Sequence, residues 1–383
     1  MSDRKNNQKK RLIIKQLDRI YAQKSFLSNY AFSLYLFIDK LYAACKKDGV
    51  TDLFFLARDG QFLKELYDEF SDRVSDVKIK THYMYISRGS IINATLKDLE
   101  NETFEWMKVY NRSNIYKFLT ALQFSVEEIN MLSLDEDIYQ EYDSFITSDA
   151  FMRLKNNDLF QKIYSQKRKR HAENQNLYFE QCGFYQAERV AVVDVGWNGT
   201  IQNYLYQIGG HEELLGYYIG CYSAESNGLN KKTGLLFEST SSRCPIRINN
   251  YNYEYICVAN HGSTYEYDDL GTPVLVNDPD IELYEKYYKN IRQTIKTKFI
   301  SIFDVINKPN IKIDFERYVW SRHAKMLLSF NKFEREIISD TIAVKKDNLI
   351  DIKPKKNIKF YLYGIKKVIM LCSVIFKYNL YEV

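Results

Sequence analysis

At 383 residues the chain has room for two domains, or for one large domain with a substantial insertion. Hydrophobic residues at 45% against 27% charged exclude wholesale disorder, and 15 Gly with 5 Pro exclude collagen-like and Pro-rich classes. The net charge of +5 sits on the ends, with six basic side chains in residues 1–15 and seven Lys in 351–383, so the body between them is net negative. A nucleic-acid binder would put its basic patch on the folded body; basic ends suit an anionic membrane surface better. The six Cys form no CxxC pair and read as reduced thiols.

In chain order, residues 1–12 are polar and basic, without a signal h-region, within an N-terminal helical region over 1–50. Leu17, Ile20, Tyr21, Phe26 and the dense run Phe32–Tyr42 predict one helix over 16–48, apolar nearly all round and so buried. Next come a strand Leu53–Ala57, a tight turn Arg58-Asp59-Gly60 and a helix through Phe62, Leu66 and Phe70. A second strand, His82–Ile86, ends in Ser87-Arg88-Gly89. This spacing opens a βαβ unit with a parallel sheet.

Residues 91–185 break the rhythm and predict an inserted helical subdomain. It holds Phe104–Tyr110, Ile115–Leu122, a capping box Ser125–Glu128, and one long basic helix from about Phe151 to Cys182. The Lys167–Arg170 stretch of that helix reads as a solvated face. The sheet resumes at Arg189–Asp194, turns through Val195–Thr200, enters a helix Ile201–Ile208 and returns as a strand Leu215–Tyr222. The α/β core is thus expected over 51–90 and 186–277, with short strands and turns over 233–275 and a helical region over 278–354. At 355–383 follows a basic amphipathic tail whose longest uncharged run, Val368–Phe376, falls well short of the roughly 20 residues a span needs. Either it lies on the cytoplasmic leaflet or it packs on the body as a last helix.

Ligands of doubly wound sheets bind at the carboxyl ends of the strands. Two strands here end in polar loops that run straight into helices, at Arg58-Asp59-Gly60 and at Asp194-Val195-Gly196-Trp197-Asn198-Gly199-Thr200. Gly196 and Gly199 let the backbone approach a ligand, and the helix start at Thr200 favours a phosphate. Asp194 suits sugar hydroxyls or Mg²⁺, and Arg58 and Arg88 supply the cations that a polyphosphate needs. Taken singly, each motif is an ordinary turn or cap; their convergence on one sheet edge gives them weight. A haloacid-dehalogenase tip needs a second Asp where Gly196 stands, and no P-loop, zinc motif or nucleophile elbow is present.

Phe54–Gly60, Tyr85–Arg88 and the string Val192-Val193-Asp194-Val195-Gly196-Trp197-Asn198-Gly199-Thr200-Ile201-Gln202 together resemble a bacterial module. It is the phosphoribosyltransferase-like half of polysaccharide-biosynthesis proteins usually labelled predicted haloacid-dehalogenase-superfamily hydrolases. The resemblance covers roughly residues 25–275. It implies a Rossmann-like parallel sheet of type I phosphoribosyltransferase topology with a helical insertion. It implies transfer of 5-phosphoribosyl from phosphoribosyl pyrophosphate (PRPP) to a hydroxyl of a glycan, in particular a lipid-linked one. Mg²⁺ would be the cofactor, and a separate phosphatase would complete ribofuranosylation. By that resemblance Asp194 and Asp59 are catalytic, with Asp194 also on the metal; Glu254, in the strand-and-turn region, is the candidate catalytic base on its chemistry alone, or else a plain polar loop residue. Arg58, Gly60, Ser87, Arg88, Gly196, Trp197, Asn198, Gly199, Thr200 and Gln202 would hold PRPP; His261 and Ser263, from their place in the strand-and-turn region and not from the resemblance, are candidates for lining the acceptor site, with His261 as a plain polar loop residue the alternative. The expected location is cytoplasmic, peripheral on the inner face of the membrane. The chain departs from nucleotide-salvage phosphoribosyltransferases in carrying Val195 after Asp194, where those carry a second acid. Two other readings stand beside it: a haloacid-dehalogenase-like sugar-phosphate phosphatase, and a non-catalytic scaffold of glycan assembly.

Overall fold

The computed structural model describes residues 2–328 apart from 24, 75, 111, 135–136, 223–227, 239–243, 245, 248–249, 278–279 and 308–312. The expected tail at 355–383 and the end of the C-terminal helical region lie outside the described residues.

The single helix expected over 16–48 is two, α1 (Ser2–Ala22) and α2 (Ser25–Asp48). The break holds because Ser28 Oγ lies 3.0 and 3.1 Å from the Tyr21 and Gln23 carbonyls, closing the end of α1 where an unbroken helix would have no need of it. Residues 27–38 of α2 are buried throughout, as an all-apolar helix requires.

Strand β1 (Asp52–Leu56), helix α3 (Gly60–Val74) and strand β2 (Lys80–Met84) form the first parallel unit, and α4 (Arg88–Thr95) leaves it. The insertion contains α5 (Ile115–Ala121), α6 (Val126–Met131), α7 (Asp149–Lys155) and α8 (Asp158–Gln181), around a core of its own that includes Phe104, Phe118, Phe151 and Phe160. The long basic helix expected here is therefore α7 plus α8. Asn157 divides them by capping α8, its Oδ1 accepting from Phe160 N at 2.9 Å. The Ser125–Glu128 capping box is present at α6.

The sheet resumes with β3 (Val190–Asp194), α9 (Thr200–Ile208), β4 (Leu214–Cys221) and β5 (Asn230–Glu238). Its order is β2-β1-β3-β4-β5, all parallel, so the fold is a doubly wound, Rossmann-like α/β fold. Alternate residues of each strand feed different cores. Leu53, Phe55, Ala191 and Val193 pack with α2 and α3, whereas Phe54, Leu56, Val190 and Val192 pack toward α8 and α9. Burial on both faces is why these strands read as continuous apolar runs.

Instead of strands and turns only, the next stretch holds helix α10 (Tyr251–Cys257), then an antiparallel pair β6 (Thr264–Tyr267) and β7 (Pro273–Leu275). Alternating tyrosines in Tyr251-Asn252-Tyr253-Glu254-Tyr255 imitate a strand, but Asn252, Tyr253, Ile256 and Cys257 are the buried set, at helical spacing. Helices α11 (Asp280–Leu283), α12 (Lys289–Ile306) and α13 (Phe315–Leu328) follow. Among the described residues no helix is long and apolar enough to cross a membrane.

Candidate functional site

The strand order reverses between β1 and β3, and the crevice at their carboxyl ends is where such sheets accept ligands. A cavity of about 590 Å³ opens there. The β1 and β2 ends supply Arg58, Asp59 and Arg88; the β3 end supplies Asp194 and the loop Gly196–Thr200. Glu254 of α10 and Ser263 complete the polar side. Trp106, Tyr110 and Ile92 form an apolar wall contributed by α4 and the insertion.

The loop after β3 is built for close backbone approach. Gly196 has φ +148°, and a Cβ there would lie 2.4 Å from the Gly220 carbonyl oxygen of β4. Gly199, at φ +60°, precedes α9, and a Cβ on it would lie 2.9 Å from both the Tyr218 hydroxyl and Lys232 Cδ. Side chains cap α4, α5, α6, α7 and α8, but none caps α9, α10 or α12. The first turn of α9 borders the cavity at Thr200 and Ile201, so its amide donors and positive dipole end are left for an anion. The peptide bonds Ala57–Arg58 and Gly196–Trp197, at the two rims of the crevice, are cis.

Acid and base are set against each other at the rim. Asp194 Oδ1 accepts from Val195 N at 2.8 Å. Burial pushes the Asp194 carboxyl well above the usual carboxylate range, and the charges of Asp59 and then Glu254 push it the same way. The Val195 amide and Arg88 pull it back. Glu254 Oε1 accepts from Trp197 Nε1 at 2.6 Å, and the Trp197 ring stacks on Phe237 at 5.8 Å and 16°. Among the described residues no group of three or more His, Cys, Asp or Glu has the makings of a metal cage. The repulsion between Asp194 and Asp59 is what a cation would relieve. An acid pair of this kind fits Mg²⁺, which keeps waters and takes phosphate oxygens for its other ligands.

Four residues expected in the site serve other ends. Gln202 is fully buried beneath α9: it accepts from the Tyr218 hydroxyl at 2.6 Å and donates to Asn230 Oδ1 at 2.8 Å and to the Lys231 carbonyl at 2.9 Å. Those bonds tie α9 to β4 and β5 and leave Gln202 no reach into the cavity. Gly60 also lies off the cavity; it lets α3 start against β1, since a Cβ would come within 2.8 Å of the Phe55 carbonyl carbon.

Ser87 lines the cavity, but its hydroxyl is spent: it accepts from Ser90 N at 3.0 Å and donates to the Thr264 carbonyl at 2.6 Å. His261 sits behind the rim, its Nε2 2.7 Å from the Tyr83 hydroxyl and its Nδ1 2.8 Å from the Gly262 carbonyl. Burial, with Arg58 and Arg292 adding to it, lowers its pKa, so a neutral ring donating through Nδ1 and accepting at Nε2 fits both contacts. It supports Tyr83 and does not line the cavity.

Sequence reading missed Lys232, Trp106 and Tyr110. Lys232 lies in β5 on an inward position, only 7% exposed, and donates to the Asn198 carbonyl at 2.9 Å from beneath the loop. The alternation Asn230-Lys231-Lys232-Thr233 contains the signal but does not say which lysine points inward. Trp106 stacks on Phe118 at 6.1 Å and 8°, and Tyr110 is exposed. Nothing in their local sequence separates them from ordinary helix residues.

No family model matches the chain, and no curated protein matches it closely enough to count as a relative.

Proposed function

We propose that this chain is a transferase that moves 5-phosphoribosyl from PRPP to a hydroxyl of a glycan, releasing pyrophosphate. The observation that carries this reading is one cavity at the topological switch point that combines an uncapped helix start, two arginines and a pair of crowded carboxylates. The sheet's parallel, doubly wound character agrees with the resemblance to type I phosphoribosyltransferases, whose finer topology is part of the proposal.

In this reading the α9 amides and the Thr200 hydroxyl hold the 5-phosphate, as helix starts hold anions. Arg58 and Arg88 face the pyrophosphate and offset the charge it gains as it leaves the anomeric carbon. Asp194 accepts hydrogen bonds from the ribose hydroxyls. Asp194 and Asp59 would hold Mg²⁺, which would supply positive charge to offset the charge gained by the leaving group. The acceptor oxygen bonds to the anomeric carbon as the pyrophosphate oxygen departs, and Glu254 at the mouth takes the acceptor proton. Ser263 and the Trp106–Tyr110 wall offer the acceptor a polar edge and a flat aromatic face. A separate phosphatase would remove the remaining phosphate. Peripheral attachment to an anionic membrane face through the basic termini belongs to the same proposal.

The test is mass spectrometry of lipid-linked glycan after incubation with protein, Mg²⁺ and PRPP, alongside calorimetric titration of PRPP. A gain of one phosphopentose is expected. No binding heat at millimolar PRPP refutes the reading, and release of inorganic phosphate from sugar phosphates would replace it with a phosphatase.

A further inference from the structure

Lys232 stands apart from the other basic residues near the cavity. It occupies a core-facing position of β5 and is more than nine-tenths buried. No carboxylate among the described residues pairs with it, and its one hydrogen bond runs to the Asn198 carbonyl at 2.9 Å. Its stem runs under Gly199, so close that a Cβ there would meet Cδ and Cε at 2.9 and 3.0 Å. A buried ammonium with a single neutral partner costs stability and would be replaced to advantage by an apolar side chain, unless something else makes use of it.

We propose that Lys232 is the concealed counter-charge of the anion site: it shapes the Asn198–Gly199 turn from beneath and supplies the positive field that a phosphoryl group at the start of α9 completes. The inference rests on the reading of that turn as a phosphate site. Lys232 does not line the cavity, so it acts through the turn and is a positioning residue. Burial lowers its pKa, with Cys221 alone acting the other way. The titratable groups that face it are Tyr218 and Cys221 of β4, and Asp194 lies close enough to act on Tyr218. An anion arriving above the turn favours the charged amine, so its binding draws a proton onto Lys232 at alkaline pH.

The probe is inorganic pyrophosphate, titrated calorimetrically into the full chain in buffers of different ionisation enthalpy. Lys232→Met is expected to bind it about tenfold more weakly, the loss of one close charge, and to lose the proton uptake seen for the wild type at alkaline pH. Lys232→Met should also melt at a higher temperature than the wild type, while Lys232→Arg retains most of the affinity. If the wild type binds pyrophosphate and Lys232→Met binds it equally well with the same proton uptake, the inference is overturned and the phosphate reading stands. If the wild type binds no pyrophosphate, the phosphate reading itself falls. A Lys232→Met protein that melts lower and cannot be rescued by Lys232→Arg assigns the residue a packing role only, which also overturns the inference.

Discussion

Removing Gln202 separates a ligand-binding role from a supporting one. The Gln202→Ala change deletes the acceptor of the Tyr218 hydroxyl and the donor to Asn230 Oδ1, and both partners are buried. Each orphaned buried group costs about 1–3 kcal/mol, and the truncation leaves a cavity besides. The loss of the donor to the Lys231 carbonyl adds less, because that group lies near the surface. The expected total is about 3–5 kcal/mol, a large fraction of the roughly 5–15 kcal/mol typical of a folded domain. Urea unfolding followed by circular dichroism measures it as a shift in midpoint at constant slope. Pyrophosphate titration at low temperature, where the variant stays folded, reads the site separately and should show a change of less than threefold, small beside the tenfold that a lost direct charge contact costs. A stability change under about 1 kcal/mol together with loss of pyrophosphate binding would refute the reasoning and return Gln202 to the site.

Two further predictions test the rim. Asp194→Asn should abolish Mg²⁺-dependent PRPP binding while raising the melting temperature near neutral pH. The sign follows from the raised pKa: the folded state penalises the ionised carboxyl, so the penalty is present above the folded-state pKa and is relieved as pH falls through it. The stability gap between variant and wild type should therefore close on acidification, and PRPP binding by the wild type should weaken over the same pH range. A gap that is constant with pH would contradict this account. Arg88→Ala should weaken pyrophosphate binding about 10- to 100-fold, as loss of a charge-assisted contact does. It should leave urea stability unchanged or slightly raised, because Arg88 is exposed and stands at the start of α4, where a positive charge opposes the helix dipole. Measurable destabilisation with unaltered binding would remove Arg88 from the site.

The sequence alone determined the sheet and its edge. Runs such as Leu53–Leu56 and Val190–Val193 are apolar at every position because both faces are covered, and each ends in a polar loop that enters a helix. That is enough to put Arg58, Asp59, Arg88 and Asp194 on neighbouring strand ends. Two helices read as continuous proved to be pairs, since Ser28 and Asn157 act as helix-end residues only once the chain turns there. Helix α10 hid behind alternating tyrosines, because period-two spacing and partial burial at period three to four share several positions.

Which polar side chains face the cavity was decided by tertiary structure alone. Gln202 and Thr200 are two residues apart, yet one is sealed under α9 by Tyr218 and Asn230 and the other borders the cavity. The Trp106–Tyr110 wall reaches the cavity from the insertion before the loop, whereas Lys232, from a later strand, reaches only the underside of the loop at the Asn198 carbonyl. Hydrophobic periodicity reports how often a chain is covered, not by what. The direction of a buried polar group is fixed by partners distant in sequence, which only the packed fold brings within hydrogen-bond range.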